Sequence, residues 1–295
     1  MKSGFVSLVG RPNVGKSTLL NSIMGRKVAI TSNVPGTTRN MIQGIYNDDD
    51  TQIIFIDTPG IHKPQDKLGK VLNSQAYASL DGVDVILFVM DVTKKIGTGD
   101  KFVLDSLKDS NVPVILVLNK IDKITYEEVL PKINEYKDIF PFKEIVPVSA
   151  GKDKNIDELI KTIRGYLSDG IKYYGDDDVT NISISFYISE LVREKILYMT
   201  REEVPHSVTC VVNLIESDNR NATISADIIV DRENLKKILI GKNGSMIKRI
   251  GMEARRDIEE FLGKKVYLDL RVKVVNNWRD KDIFLKDLGY EDFNK

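Results

Sequence analysis

The chain is poor in the features that would mark a secreted, cross-linked or membrane-spanning protein. It holds one cysteine among 295 residues, Cys210, so no intramolecular disulfide can form. That thiol stands in an apolar, strand-like run, residues 208–215. A buried, inert role in a reducing cytosol is expected for it. The longest apolar stretches, 83–90 and 112–118, fall far short of the ~20 residues a membrane helix needs. Residues 1–4 lead straight into the first predicted strand, which leaves no room for a signal peptide. Net charge is lacking too: 43 Lys and Arg balance 43 Asp and Glu. With no global field, any surface for a polyanion has to be local. No internal repeat or low-complexity tract interrupts the chain, and its one tryptophan, Trp278, reads as a packing anchor.

What is present is ordinary for a globular protein of about two domains: 42% apolar and 29% charged residues. Within it lies an unusual stretch, Gly10-Arg11-Pro12-Asn13-Val14-Gly15-Lys16-Ser17, followed by Thr18. An apolar run, 5–9, precedes it as a buried strand, and 18–24 follows as a helix, the context a phosphate-binding G-x-x-x-x-G-K-[ST] loop requires. Glycines at 10 and 15 let backbone N–H groups and a helix N-terminus converge on an anion. Lys16 would charge-pair the β and γ oxygens, and the Ser17 hydroxyl would ligate Mg²⁺.

Four further motifs follow in order. Residues 30–39 read as a loop that a γ-phosphate and Mg²⁺ could order, with Thr38 favoured over Thr37 as a metal ligand. Strands at 42–47 and 53–56 flank an acidic turn, and the second ends in Asp57-Thr58-Pro59-Gly60. Asp57 would hold Mg²⁺ through a water, and Gly60 would offer its N–H to the γ-phosphate. Continuous apolar runs at 85–91 and 114–118 read as parallel strands buried on both faces, separated by a helix over 100–110. The second ends in Asn119-Lys120-Ile121-Asp122. The Asp122 carboxylate can accept from the two donors on guanine, which adenine lacks; Asn119 can tie this loop to the first, and the Lys120 stem can lie on the purine. A last strand, 143–148, delivers Ser149 and Ala150, whose backbone is expected near the guanine O6. A helix then opens at Asn155 with Glu158 in a capping-box spacing and runs to about 167. The alternation gives a doubly wound α/β domain with its ligand loops at the strand C-termini.

After an acidic, glycine-containing linker the pattern changes. A capped helix over 189–197, a hairpin of 208–215 with 222–230, a short helix over 234–240, Gly241-Lys242-Asn243-Gly244, a long helix over 245–262 and a strand over 266–275 are predicted. Helix, G-x-x-G, helix is the signature of a KH module, whose glycine loop lets a nucleic-acid backbone approach while unpaired bases lie in a groove. Residues 232–273 carry twelve Lys and Arg against six Asp and Glu. Lys248, Arg249 and Arg255 are the expected phosphate contacts beside the loop.

These motifs resemble a P-loop GTPase. G-R-P-N-V-G-K-S, P-G-T-T-R, D-T-P-G and N-K-I-D are more closely similar to the bacterial Era family, and the second half resembles its type II KH domain. The resemblance covers nearly the whole chain. It implies a GTPase domain over 1–170, a linker over 171–180 and an RNA-binding domain over 181–295. Implied partners are GTP and GDP, 16S rRNA near its 3′ end and the 30S subunit. The resemblance further implies Mg²⁺ as cofactor, slow intrinsic hydrolysis and a monomer in the cytoplasm, partly peripheral to the inner membrane face. Where Ras-like enzymes place a water-orienting Gln, this chain has Ile61. In relatives of this kind a P-loop Asn helps bind K⁺, a role the resemblance implies for Asn13. Lys16, Asn13, Thr38 and Gly60 are thus the expected catalytic set, with His62 a bystander. Two other readings stay open: a GTPase acting on a different RNA, and a constitutive RNA-binding module with a structural nucleotide site.

Overall fold

The computed structural model describes residues 1–290. Its first sheet comprises β1 (Lys2–Val9), β2 (Ile42–Asn47), β3 (Thr51–Asp57), β4 (Val85–Asp91), β5 (Val114–Asn119) and β6 (Glu144–Pro147), in the order β2-β3-β1-β4-β5-β6. Only β2 runs antiparallel, forming a hairpin with β3. The central strands are buried end to end, as their unbroken apolar runs require when both faces carry helices. Those helices are α1 (Lys16–Met24), α2 (Lys67–Ala78), α3 (Thr98–Ser106), α4 (Tyr126–Tyr136) and α5 (Ile156–Arg164). Register is what builds the site: Leu8 sits opposite Asp57, and Asp91 opposite Asn119. The first phosphate-loop residues, the aspartates and the N-K-x-D loop therefore emerge at one edge.

The second unit packs α6 (Ile184–Met199), α8 (Glu233–Ile240) and α9 (Ser245–Leu262) on one face of a three-stranded sheet. Its strands are β7 (Val208–Ser217), β8 (Asn221–Val230) and β9 (Lys265–Val274), with β8 central, antiparallel to β7 and parallel to β9. The short α7 (Val204–Ser207) precedes β7, and α10 (Asp282–Asp287) closes the described chain. Cys210 is buried among these elements and burial pushes its thiol pKa up, away from reactivity.

Two expected caps are corrected. Asn155 does not cap α5 through its side chain: it takes a left-handed backbone conformation and its amide donates instead to the Pro147 carbonyl at 2.8 Å. The KH-side helix starts well before Ser189. Ser183 is its cap, accepting from Phe186 N at 3.2 Å, and Ser189 lies one turn inside with its hydroxyl on the Phe186 carbonyl. Segment 171–181 runs along the outer edge of the first sheet, where Ile45 N donates to Val179 O at 2.9 Å and the amides of Tyr173 and Tyr174 donate to Gln52 Oε1.

Candidate nucleotide site and nucleic-acid groove

The loop between β1 and α1 owes its shape to three residues with positive φ: Gly10, Asn13 and Gly15. A Cβ at Gly10 would stand 2.4 Å from the Val89 carbonyl, and one at Gly15 2.3 Å from Asn119 Nδ2, so both glycines are required by space as well as conformation. Lys16 opens α1, is 5% exposed, and folds its ammonium back onto the carbonyls of Gly10 and Arg11 at 3.1 and 3.2 Å. Burial lowers its pKa to about 8, with the Asp57 charge pulling the other way. Val14 points into the core, and Arg11 turns aside to pair with Asp100 of α3 at 2.8 Å.

Beside Lys16 three oxygen-bearing side chains converge. Ser17 Oγ donates to Asp57 Oδ2 at 2.6 Å and lies 2.8 Å from Thr38 Oγ1, which itself stands 3.4 Å from Asp57 Oδ2. The other Asp57 oxygen is buried without a hydrogen-bond partner among the described residues. Burial raises the Asp57 pKa, offset in part by Lys16 and by the Ser17 and Thr38 hydroxyls. Two hydroxyls and a carboxylate, one of whose oxygens is orphaned, form the hard donor set that suits Mg²⁺. Thr37 is turned elsewhere, its hydroxyl on Ser32 and the Val34 carbonyl at 2.6 Å each.

Thr58 anchors the next loop by donating to the Leu8 carbonyl at 2.7 Å. Gly60 lies against the phosphate loop: a Cβ there would meet Pro12 N at 2.7 Å. Pro59 joins these two fixed points, and Ile61 is 1% exposed in the apolar cluster, so it orients no water. The His62 ring places Nδ1 2.8 Å from the Gly60 carbonyl and does not line the cleft. That cleft is lined by Pro12, Asn13, Lys16, Ser17, Thr18, Thr38 and Gly60, among others. The Asn13 amide donates to the Asn33 carbonyl at 2.7 Å, bridging the two loops across it.

On the base side, Asn119 Nδ2 donates to the Val14 carbonyl at 2.9 Å, and Lys120 reaches the Asn13 carbonyl at 2.8 Å and Asp91 at 2.7 Å. Asp91 is held below the usual carboxylate range: burial opposes this, but hydrogen bonds from Lys120 and Thr93 outweigh it. Ser149 contributes its hydroxyl, donating to Asp122 Oδ1, while its amide is taken by the Lys154 carbonyl. The Ala150 amide donates to Asn119 Oδ1 at 3.0 Å. Both amides expected near the purine O6 are thus engaged within the loop, because backbone donors at this depth must find local partners.

The second site is the groove between α9 and β9. Gly241 and Gly244 have positive φ, and a Cβ at Gly241 would meet Met246 at 2.8 Å, so the turn calls for glycine there on two counts. Lys242 and Asn243 form its tip. Lys248 and Arg255, seven residues apart on one helix face, line the groove with Gly251, Met252, Tyr267 and Leu270. Arg249 is exposed but does not line this groove. The apolar floor is not evident from the motif; alternate apolar residues in β9 are the signal that could reveal it.

Comparison with known proteins finds relatives for both units. The family described as 50S ribosome-binding GTPase matches residues 5–120, and the KH domain family matches 203–279. A structure of Era in complex with MgGDPNP and nucleotides 1506–1542 of 16S ribosomal RNA is 46% identical, with a TM-score of 0.96 over 98% of this chain and 99% of that one. A single-residue variant of Aquifex aeolicus Era bound to GDP·AlF4⁻ is likewise 46% identical, with a TM-score of 0.95 and the same coverage.

Proposed function

The chain belongs to the Era family of GTPases, and we propose from this that it is a guanine-nucleotide switch that binds the 3′ region of 16S rRNA and assists assembly of the 30S subunit. The observation that carries the reading is the convergence of Ser17, Thr38 and Asp57 beside a buried Lys16, in one chain with a glycine-jointed basic groove. Residues 1–170 form the nucleotide unit and 181–295 the RNA unit in this reading, joined by 171–180.

Phosphoryl transfer needs little covalent help, so the residues act by position and charge. Lys16 neutralises the β and γ oxygens. Ser17 and Thr38, with Asp57 through a water, would hold Mg²⁺, which would supply positive charge against the developing charge of the transferred phosphoryl group. Gly60 donates its N–H to the γ-phosphate, and Asp122 reads the guanine through its paired donors. Ile61, at the position of the missing glutamine, is locked in the core and orients no water. Asn13 supports K⁺ as the compensating charge: with its Nδ2 committed to Asn33, its amide oxygen is the group left for a cation. The 241–244 turn with Lys242 receives the RNA backbone, Lys248 and Arg255 meet phosphates along the groove and Arg249 from the exposed surface beside it, and the apolar floor receives bases. A cytoplasmic monomer, partly peripheral to the inner membrane face, completes the family expectation. No helix among the described residues is long and apolar enough to cross a membrane.

The test is direct. Purified protein should bind a fluorescent GTP analogue with Mg²⁺, hydrolyse GTP slowly, and crosslink through Lys242 to the 3′ end of 16S rRNA in ribosomal particles. Crosslinks confined to another RNA would overturn the substrate; no guanine-nucleotide affinity would overturn the whole reading.

A further inference from the structure

The two loops that flank the phosphate site are also the two that meet the RNA unit. From the first, Arg39 leaves its own domain entirely. It is 5% exposed, donates to the Val208 carbonyl at 2.6 Å and the Pro205 carbonyl at 3.2 Å, and lies 5.9 Å above the Trp278 ring centroid. In the opposite direction Arg193 of α6, 0% exposed, donates to the Thr37 carbonyl while Glu190 grips it at 2.5 and 2.7 Å. Its Nη1 finds no hydrogen-bond partner among the described residues. Glu194, beside it, accepts from Thr31 N at 3.0 Å. The loop is therefore held by the RNA unit at Thr31, Thr37 and Arg39. The second loop leads into α2, whose Leu68, Val71 and Leu72 pack with Trp278, and whose cap Asp66 pairs with Arg279 at 2.9 Å.

Thr38 stands between the two arginine contacts. It cannot withdraw from Ser17 and Asp57 without disturbing two buried guanidinium groups: Arg193, still held by Glu190, would lose its acceptor at Thr37, and Arg39 would be drawn from the Val208 and Pro205 carbonyls, losses that cost more at a buried charge than at the surface. We propose that Arg39 and Arg193 are the latch through which the occupant of the phosphate site sets the grip of the KH domain on RNA. They act as positioning residues, touching neither nucleotide nor RNA. The proposal rests on the switch reading above and names the pair that transmits it.

Trp278 makes the latch observable. It is the chain's single tryptophan, fully buried beneath Arg39 and hydrogen-bonded to the Ser207 carbonyl at 2.9 Å. The experiment uses the full chain saturated with Mg·GDP or Mg·GDPNP, reading Trp278 emission and affinity for an RNA of the 16S 3′ end. Wild type should give different emission in the two states and an RNA affinity ratio of about tenfold or more. Arg39→Met and Arg193→Met should keep nucleotide affinity within about threefold, a small change beside such a coupling, while the emission difference disappears and the RNA ratio falls to about one. Should either variant lose its fold, Arg39→Lys, which keeps the charge without the planar fork, is expected to retain only part of the ratio. Nucleotide binding with an unchanged ratio in the folded variants, or identical wild-type emission in both states, overturns the latch and leaves the GTPase reading standing. Failure to bind guanine nucleotide at all overturns both.

Discussion

Lys16 gives the most quantitative expectation. Burial holds its pKa at about 8 in the ligand-free protein, against an ordinary 10.5, with the Asp57 charge opposing the shift. Phosphate oxygens drawn up to the ammonium restore the charged form, so binding must take up the protons that the free protein lacks. At pH 8 the deficit is about half a proton, and at pH 7 about a tenth, from the same pKa. Apparent affinity should fall by about tenfold between pH 7 and 9 as the free protein sheds that proton. Isothermal calorimetry with GDP, whose phosphates are ionised in this range, measures the uptake directly when repeated in buffers of different ionisation enthalpy. No uptake at pH 8, or equal uptake at pH 7 and 8, would refute the placement of Lys16 as a desolvated cation. Stability without ligand moves the opposite way. The folded pKa lies below the unfolded one, so between pH 8 and 10.5 the unfolded chain binds more protons, and the ligand-free protein should gain stability as pH rises through that window.

Asp122→Asn should cost GTP affinity about a hundredfold or more and shift preference toward xanthosine triphosphate, because an amide donor replaces a charged acceptor of two hydrogen bonds; competition binding of the two nucleotides checks it. Gly60→Ala places a methyl 2.7 Å from Pro12 N, backbone that cannot step aside, so the loop must shift. Its expected signature is a fall in kcat of about a hundredfold with nucleotide affinity little changed, read by single-turnover hydrolysis. Gly241→Asp combined with Gly244→Asp strains two positive-φ positions and adds negative charge at the turn. RNA binding should be lost while GTP hydrolysis without RNA proceeds at the wild-type rate.

Much of this is legible in the sequence because its signals are periodic or spaced. Unbroken apolar runs announce strands buried on both faces, and glycines at fixed offsets announce loops that only glycine can build. What stays hidden has physical causes. In α2 the apolar stripe of Leu68, Val71, Leu72 and Ala76 is blurred because Asn73, Ser74 and Gln75 are buried beside it. In α4, Val129, Ile133 and Tyr136 keep helical spacing, but Pro131 inside the segment argues against a helix and only Tyr136 is buried. Arg39 and Arg193 look like any surface cations in a chain with 43 Lys and Arg, since nothing local says that each will be enclosed by the opposite domain. The caps expected at Asn155 and Ser189 do not form because a side chain can serve another carbonyl instead of its own helix end.

The strap over 171–181 has a consequence for how the two halves can be separated. It occupies the donors along the outer side of β2, through Val179, Thr180 and Asn181, and clasps Gln52 of the neighbouring strand with Tyr173 and Tyr174. A bare strand at that margin would be a template for another copy of the chain. Severing the protein after residue 170 would therefore do more than free the nucleotide half: it would leave an adhesive border, and fragments meant to be studied singly should be cut beyond Asn181 if they are to stay apart.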